Sequence, residues 1–479
     1  MRVLIAGLLL LLALPAAAQV SYYRIEANER GVGFARSERQ AHADRLIRIE
    51  QMRLRISRDQ QVLDIRVEER REESLLGAPL KFSSRTQFSG YESFNSGRQI
   101  NPTTLEVTQT SPGFSETRRI AIGAEVLFPE AIERRLLETG FVTGAELEVR
   151  TLLPDTLQPA TQRFRVLGPV TQNGQSAFRV SSKVLINDAQ VLEDSELIYS
   201  AKGELLEQSL QLLGARLTLR LTNKANAQAA LAEGAWNILD TAVIASPLAL
   251  PESERDWPRK IVLASATAGF NPALSSAEQR VRMLTPRTLE FTVGALPLKR
   301  EAAPQRRHLQ ANAWIQSDDP RLRALAEKAV RDVDADPLAR MQALERFVAV
   351  YIERKDLSQG YASALEAART RRGDCTEHAL LLAALGRALG IPTRIAAGLA
   401  YAQSFAGRET VFVPHAWTQA YVAGAWRSFD AALGRFDTRR VGLSFGNGEP
   451  WDFAGALNAR GTVEIKQITT TKVTALESR

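Results

Sequence analysis

Cys375 is the single cysteine of a 479-residue chain. A lone thiol matters chemically as a thiolate, so its local charge environment decides what it can do. It sits in Arg371-Arg372-Gly373-Asp374-Cys375-Thr376-Glu377-His378. Asp374 and Glu377 have the spacing of a capping box, which starts a helix at Cys375. The residues from Leu380 to Leu389 are almost all Leu and Ala. Gly390 suits the left-handed position after a helix, and Pro392 prevents continuation. At the first helical position, unpaired N–H groups and the helix dipole favour a thiolate. Arg371 and Arg372 add positive charge. A small buried hydrophobe capping a core helix is the plainer reading of the same residue.

A partner for the thiol is encoded downstream. Val413-Pro414-His415-Ala416-Trp417 leads into Gln419 to Val422, then Ala423-Gly424, then Ala425-Trp426-Arg427-Ser428-Phe429-Asp430. The polarity alternates on both sides of Ala423-Gly424, as in a β-hairpin with a two-residue turn. That register pairs Val422 with Ala425 and Trp417 with Asp430. His415 then shares a face with Asp430 as its diagonal neighbour. A cysteine at a helix start, with a histidine and an aspartate on one hairpin face, is a nucleophile, base and orienter set.

These blocks resemble the transglutaminase-like superfamily. The resemblance rests on Arg372-Gly373-Asp374-Cys375, Gly390-Ile391-Pro392-Thr393-Arg394, His415-Ala416-Trp417 and Tyr421 to Asp430, and spans roughly residues 313 to 440. It implies a papain-like triad of Cys375, His415 and Asp430 as the catalytic residues. It also implies hydrolysis more often than cross-linking among bacterial members.

The supporting elements follow the same logic. Asp319-Pro320 starts a helix reaching about Val333, and Asp336-Pro337 starts another with Leu338, Met341, Leu344, Phe347, Val348 and Tyr351 on one face. Ser363 and Glu366 form a further capping box. Strands follow at Arg394–Tyr401, Val411–Tyr421 and Ala425–Asp430. From Tyr22 to about Leu221, by contrast, short alternating segments succeed one another, interrupted by a helix near Pro129–Thr139. One solvated face per strand means an antiparallel sheet, loosely similar to the half-barrel of lipoprotein carriers. No polar constellation marks a site in it. The expected fold class is α+β: a C-terminal papain-like transglutaminase core of helices plus antiparallel sheet, preceded by a large antiparallel β region. The expected divisions are 1–18, a signal peptide; 19–234, the β half-barrel-like domain; 235–300, a small β domain or extension; 301–312, a linker; and 313–479, the transglutaminase-like domain. The tail from Val463 reads as late strand.

Met1 to Ala18 has a short basic start, an apolar stretch from Val3 to Leu14, and a Pro-Ala-Ala-Ala cleavage pattern. The expected location is therefore periplasmic or secreted, with no transmembrane segment after cleavage. One cysteine cannot close an internal disulfide, which in an oxidising compartment favours a reactive thiol. The net charge is +7, but basic residues are mixed with acidic ones, so no nucleic-acid surface is indicated. Four histidines and one cysteine offer no metal-ligand spacing, and no metal or cofactor is expected. His378, on the nucleophile's own helix, is expected to pack or bond locally. Trp417 and Trp426 share the face of His415. His42 and His308 have no partner in sequence. The expected function is an exported thiol enzyme that acts on amide bonds of envelope protein or peptide through a thioester. The alternatives are an envelope docking or scaffolding protein and a cross-linking acyltransferase.

Overall fold

The structure, a computed structural model, describes residues 19–471 except 59–60, 89–90, 124, 187–188, 191–194, 213–214, 266–274, 295–299, 356–360 and 450–462. The expected signal peptide lies outside the described residues. The chain divides into two compact units, Met1–Ile238 and Leu239–Arg479.

The first unit is mostly one 16-stranded sheet. The chain meanders from Gln19–Ala27 out to Phe114–Ala121, then forms helix α1, Pro129–Glu138. It resumes at the other edge with Glu146–Leu153 and meanders back until Ala215–Thr222 pairs with Gln19–Ala27. The main path is antiparallel; the two-residue segment Trp236–Asn237 adds a parallel pair against Ile56 and Ser57. Helix α2, Lys224–Glu233, follows the last long strand, capped by Asn223. The two halves of the meander also meet away from the strand ladder. Asn95 Nδ2 donates to the Pro154 and Asp155 carbonyls at 3.0 and 2.7 Å, and Leu127 N–H donates to the Arg150 carbonyl at 2.9 Å.

The inner face is where the sequence reading and the structure differ. Strand Gln61–Ser74 buries Leu63, Ile65 and Val67, then continues on the same face with Glu69, Arg71 and Glu73, also buried. Neighbouring Arg48 and Glu50 are buried too. Period-2 geometry makes these charges inward-facing whatever their polarity. They are paired: Arg48 donates to Glu130 at 2.6 Å and to both Glu133 oxygens at 2.8 Å, and Arg71 donates to Glu50 at 2.7 Å and to Glu69. Phe128, at the N-cap of α1, supplies no side-chain acceptor. Glu73 does so instead, accepting from Glu130 and Ala131 N–H at 3.2 and 2.9 Å. A polar constellation therefore does occupy the interior, and it anchors a helix.

The second unit holds two smaller sheets. In the first, Gln279–Thr285, Thr288–Val293, Arg259–Ser265 and Val463–Thr470 lie side by side in that order. The sequence left 235–300 as a small β domain or an extension of the first; Trp236–Asn237 pairs within the first sheet, and Arg259–Ser265 pairs with Val463–Thr470 inside the second unit. The other sheet places Ile244–Ala245, Arg408–Val422, Thr393–Phe405 and Arg440–Gly446 in order, with Ala425–Phe429 pairing to Arg408–Val422. Ile261, Leu263 and Phe291 of one sheet share a core with Leu399, Phe412 and Val441 of the other.

Among the described residues, four helices of seven residues or more accompany these sheets: α3, Pro320–Ala329; α4, Pro337–Tyr351; α5, Ala364–Thr370; and α6, Cys375–Ala388. Asp319, Asp336, Ser363 and Asp374 cap them in turn, each side chain accepting a backbone N–H. Helix α3 stops short of the expected Val333, because Val330 leaves helical geometry at φ −115° and ψ 16°. The expected apolar stripe on α4 is also altered. Leu338 is 40% exposed, while Glu345 is turned inward and buried.

Candidate active site

Helix α6 is fixed at both ends by local hydrogen bonds. Asp374 Oδ1 accepts from Thr376 N–H at 2.9 Å, and Glu377 Oε2 reaches back to accept from Asp374 N–H at 2.8 Å. This is the reciprocal capping box that the Asp-x-x-Glu spacing calls for. Glu377 Oε1 also accepts from Ala362 N–H at 2.7 Å, binding the preceding loop to the helix start. Burial and the neighbouring Asp374 push the Glu377 carboxyl well up. Gly373 is required by close approach, since a Cβ there would lie 2.2 Å from Glu377 Cβ. At the other end Gly390 takes φ +75°, and Gly390 and Ile391 donate to the Arg387 and Gly386 carbonyls at 2.9 and 3.0 Å. That pair of bonds is a Schellman cap. Cys375 thus occupies the first helical position and is half-buried.

The hairpin has the register expected from Ala423-Gly424. Val422 pairs with Ala425 and Thr418 with Phe429. Both turn residues have positive φ, 52° and 80°, the geometry of a type I′ turn. His415 Nε2 lies 2.8 Å from Asp430 Oδ2, with both side chains buried. Trp417 stacks beside His415 at 6.1 Å between ring centroids and donates from Nε1 to Ser428 Oγ at 3.1 Å. Thr418 Oγ donates to the Ala379 carbonyl at 2.8 Å. This bond ties the His415 strand to α6 one turn beyond Cys375.

Asp430 also meets a guanidinium. Arg440 Nε donates to the same Oδ2 at 2.8 Å, and Leu433 N–H donates to Oδ1 at 3.2 Å. Burial alone would raise the Asp430 carboxyl; His415 and Arg440 overcome that and hold it at about 2. Arg440 is itself oriented by Asp437, whose Oδ1 lies 2.6 Å from Nη1.

The strand leading to Asp430 is also bordered by carboxylates. Trp426 N–H donates to Glu301 Oε2 at 2.8 Å, Ser428 N–H to both Glu278 oxygens at 3.0 Å, and Asp430 N–H to Glu345. Glu345 is pushed up to about 7, by burial first and by the adjacent Asp430. Sequence reading missed Arg440, Glu278, Glu301 and Glu345. A signal existed for Glu345, a carboxylate inside the apolar stripe of α4. None existed for the others, which meet the strand from distant parts of the chain.

The remaining histidines are accounted for locally. His378 Nδ1 lies 2.6 Å from the Asp374 carbonyl, and the ring is buried. His308, without a partner in sequence, accepts from Gln305 N–H at 3.1 Å and sets its ring edge on Trp426 at 5.0 Å. Burial and then Arg307 push it down to about 4. His42 is exposed in the first unit. Among the described residues, no group of three or more His, Cys, Asp or Glu could hold a metal ion.

Residues 323–431, which contain Cys375, His415 and Asp430, match the family model of the transglutaminase-like superfamily. This segment is a transglutaminase-like domain. Similar solved structures include a candidate cysteine protease from Cytophaga hutchinsonii, 17% identical, covering 46% of this chain and 86% of that one with a TM-score of 0.28. A β-barrel-like domain of unknown function from Brucella abortus is 12% identical, covering 45% of this chain and 98% of that one at a TM-score of 0.36. A candidate protease from Parabacteroides distasonis is 11% identical, covering 74% and 69% at 0.19. No curated protein sequence matches the chain. The matched residues take in most of α3, helices α4 to α6 and the hairpin up to Ala431. Arg440, which pairs with Asp430, lies beyond the matched residues.

Proposed function

We propose that the chain is a thiol enzyme that cleaves amide bonds, with Cys375 as nucleophile, His415 as base and Asp430 as orienter. The observation that carries this is the buried 2.8 Å bond between His415 Nε2 and Asp430, on a strand tied to the helix that begins with Cys375. With Nε2 committed to Asp430, Nδ1 is the ring nitrogen left to serve the thiol. Cys375 would attack the carbonyl carbon, and its own N–H at the helix start would receive the developing oxyanion. His415 would hold the thiol proton and pass it to the leaving amine, giving a thioester. Water then releases a carboxylic acid; an amine in its place gives a cross-link. Hydrolysis of a peptide or protein of the cell envelope is the reading we favour. The preference for hydrolysis comes from the family resemblance, and the envelope setting from the leader-like sequence at 1–18, with export to the periplasm or beyond.

The test is alkylation by iodoacetamide at mildly acidic pH. A thiol with the reference pKa of about 8.5 would scarcely react there, whereas an imidazole-paired thiolate would. Labelling that appears only at alkaline pH would sink the proposal. It would favour the docking alternative, in which the domain binds a partner without chemistry.

A further inference from the structure

Asp430 is held on two sides. Its carboxylate meets His415, Arg440 and the Leu433 N–H. Its own backbone N–H donates to Glu345, midway along α4. Glu345 is buried on the inward side of that helix with Met341, Leu344 and Val348. Among the described residues, the Asp430 N–H is the only hydrogen-bond donor to the Glu345 carboxylate, and no cation lies within ion-pair distance of it.

That is an unfavourable place for a carboxylate. Taking a charge out of water costs far more than burying an amide, and a glutamine would accept the same N–H. The hydrogen bond alone therefore does not account for the charge. What a carboxylate adds is a second negative charge next to Asp430. Ionised, it strengthens the field in which His415 holds a proton; neutral, it leaves Asp430 to act alone. Charged groups meet Glu345 from several elements: Asp430 and, through it, His415 from the hairpin, Arg440 from the strand beyond, and Arg346 on its own helix. On α6, His378 also feels the Asp430 charge. Burial first, then Asp430, push Glu345 up to about 7, while Arg346 and Arg440 pull the other way. The change of charge thus falls near neutral pH, with Glu345 neutral below that value and ionised above it.

We propose that Glu345 is a positioning residue that gates the site: ionised, it supports the Asp430–His415 pair in holding the thiol proton, and neutral, it withdraws that support. The thiol proton passes from Cys375 Sγ to the free nitrogen of His415, and Glu345 neither gives nor receives it. The assignment rests on Cys375 and His415 acting as proposed above, and it names how that site is regulated.

The test is the rate of iodoacetamide alkylation of the single cysteine, followed by mass on the full chain. In the wild type the rate should rise through about pH 7, below the range where a thiol of ordinary pKa titrates. Glu345→Gln keeps an acceptor for the Asp430 N–H and loses the charge. The wild-type rate divided by the Glu345→Gln rate should be close to one at about pH 5.5. It should reach about fivefold at about pH 7.5, the effect of one charge roughly 8 Å away in a medium between protein interior and water. Glu345→Asp, which restores a titrating carboxylate, should recover the rise. A ratio that is constant with pH marks a merely structural role and overturns the proposal. So does a wild-type rate that is flat between about pH 6 and about pH 8, whatever the variants do. The two readings fail differently. A wild-type thiol that reacts only at alkaline pH sinks the enzymatic reading and this one with it; a thiol reactive at mildly acidic pH with a constant ratio sinks this one alone.

Discussion

The two units both bury ions, and they balance them in opposite ways. Inside the first-unit sheet, Glu50, Glu69, Glu73, Glu130 and Glu133 surround Arg39, Arg48 and Arg71. Carboxylates outnumber cations, so burial wins: Glu50 is pushed up to about 7 and Glu73 to about 8, the latter also by Glu130. At Asp430 one carboxylate meets both His415 and Arg440, and the opposing charges win over burial. The same desolvation thus yields proton-holding carboxyls in one place and a permanently charged one in the other. The first arrangement suits anchoring a helix. The second suits steadying a cation beside it, because the anion persists well below neutral pH.

Breaking the site should have the largest effect. Cys375→Ala and His415→Ala should each lower amide cleavage by about a thousandfold or more, with a thermal midpoint near wild type. The structural cluster should respond in the other currency. Arg48→Ala leaves Glu133 without its buried partner and Glu130 with Arg39 alone, and should cost about 3–5 kcal/mol in a denaturant titration. Labelling of Cys375 under native conditions should be unaffected.

The contrast in pKa can be read by pH. Glu50 and Glu73 have folded values above the unfolded one, so the folded state binds more protons between about pH 4.5 and 8. The stability they contribute is present below that window and declines as pH rises through it. Asp430, depressed to about 2, contributes stability present above about pH 4 and lost on acidification towards pH 2. Glu50→Gln with Glu73→Gln should flatten the neutral slope of the first unit's unfolding midpoint; an unaltered slope would remove the contrast.

Smaller effects sharpen the role of Arg440. Arg440→Gln should slow turnover about tenfold, and combined with Asp430→Asn it should add little to the loss from Asp430→Asn alone. Additive losses would mean that Arg440 acts elsewhere. His378→Ala should change turnover least of all, since its ring bonds to the Asp374 carbonyl on its own helix.

Much of the site was legible because its signals are local. Capping at Asp374 and Glu377, the stop at Gly390, and the turn at Ala423-Gly424 each depend on residues within a few positions. They carry His415 and Asp430 into contact. The inner face of the first unit was not legible. Arg48, Glu69 and Arg71 continue the strand period with charged side chains, and in sequence an inward charge looks like an outward one. The Arg48 partners Glu130 and Glu133 come from a helix 82 and 85 residues further on. Arg440, Glu278 and Glu301 escaped notice for the same reason, being brought to the hairpin by tertiary packing alone.

The border of glutamates along Trp426, Ser428 and Asp430 also bears on self-association. A strand edge with unused N–H groups invites another chain to pair with it, and charged side chains are a means of preventing this. Here Glu301, Glu278 and Glu345 take the outward donors themselves, so an approaching strand meets filled hydrogen-bond positions. Replacing the three with alanine should expose that edge and produce concentration-dependent oligomers, visible by light scattering.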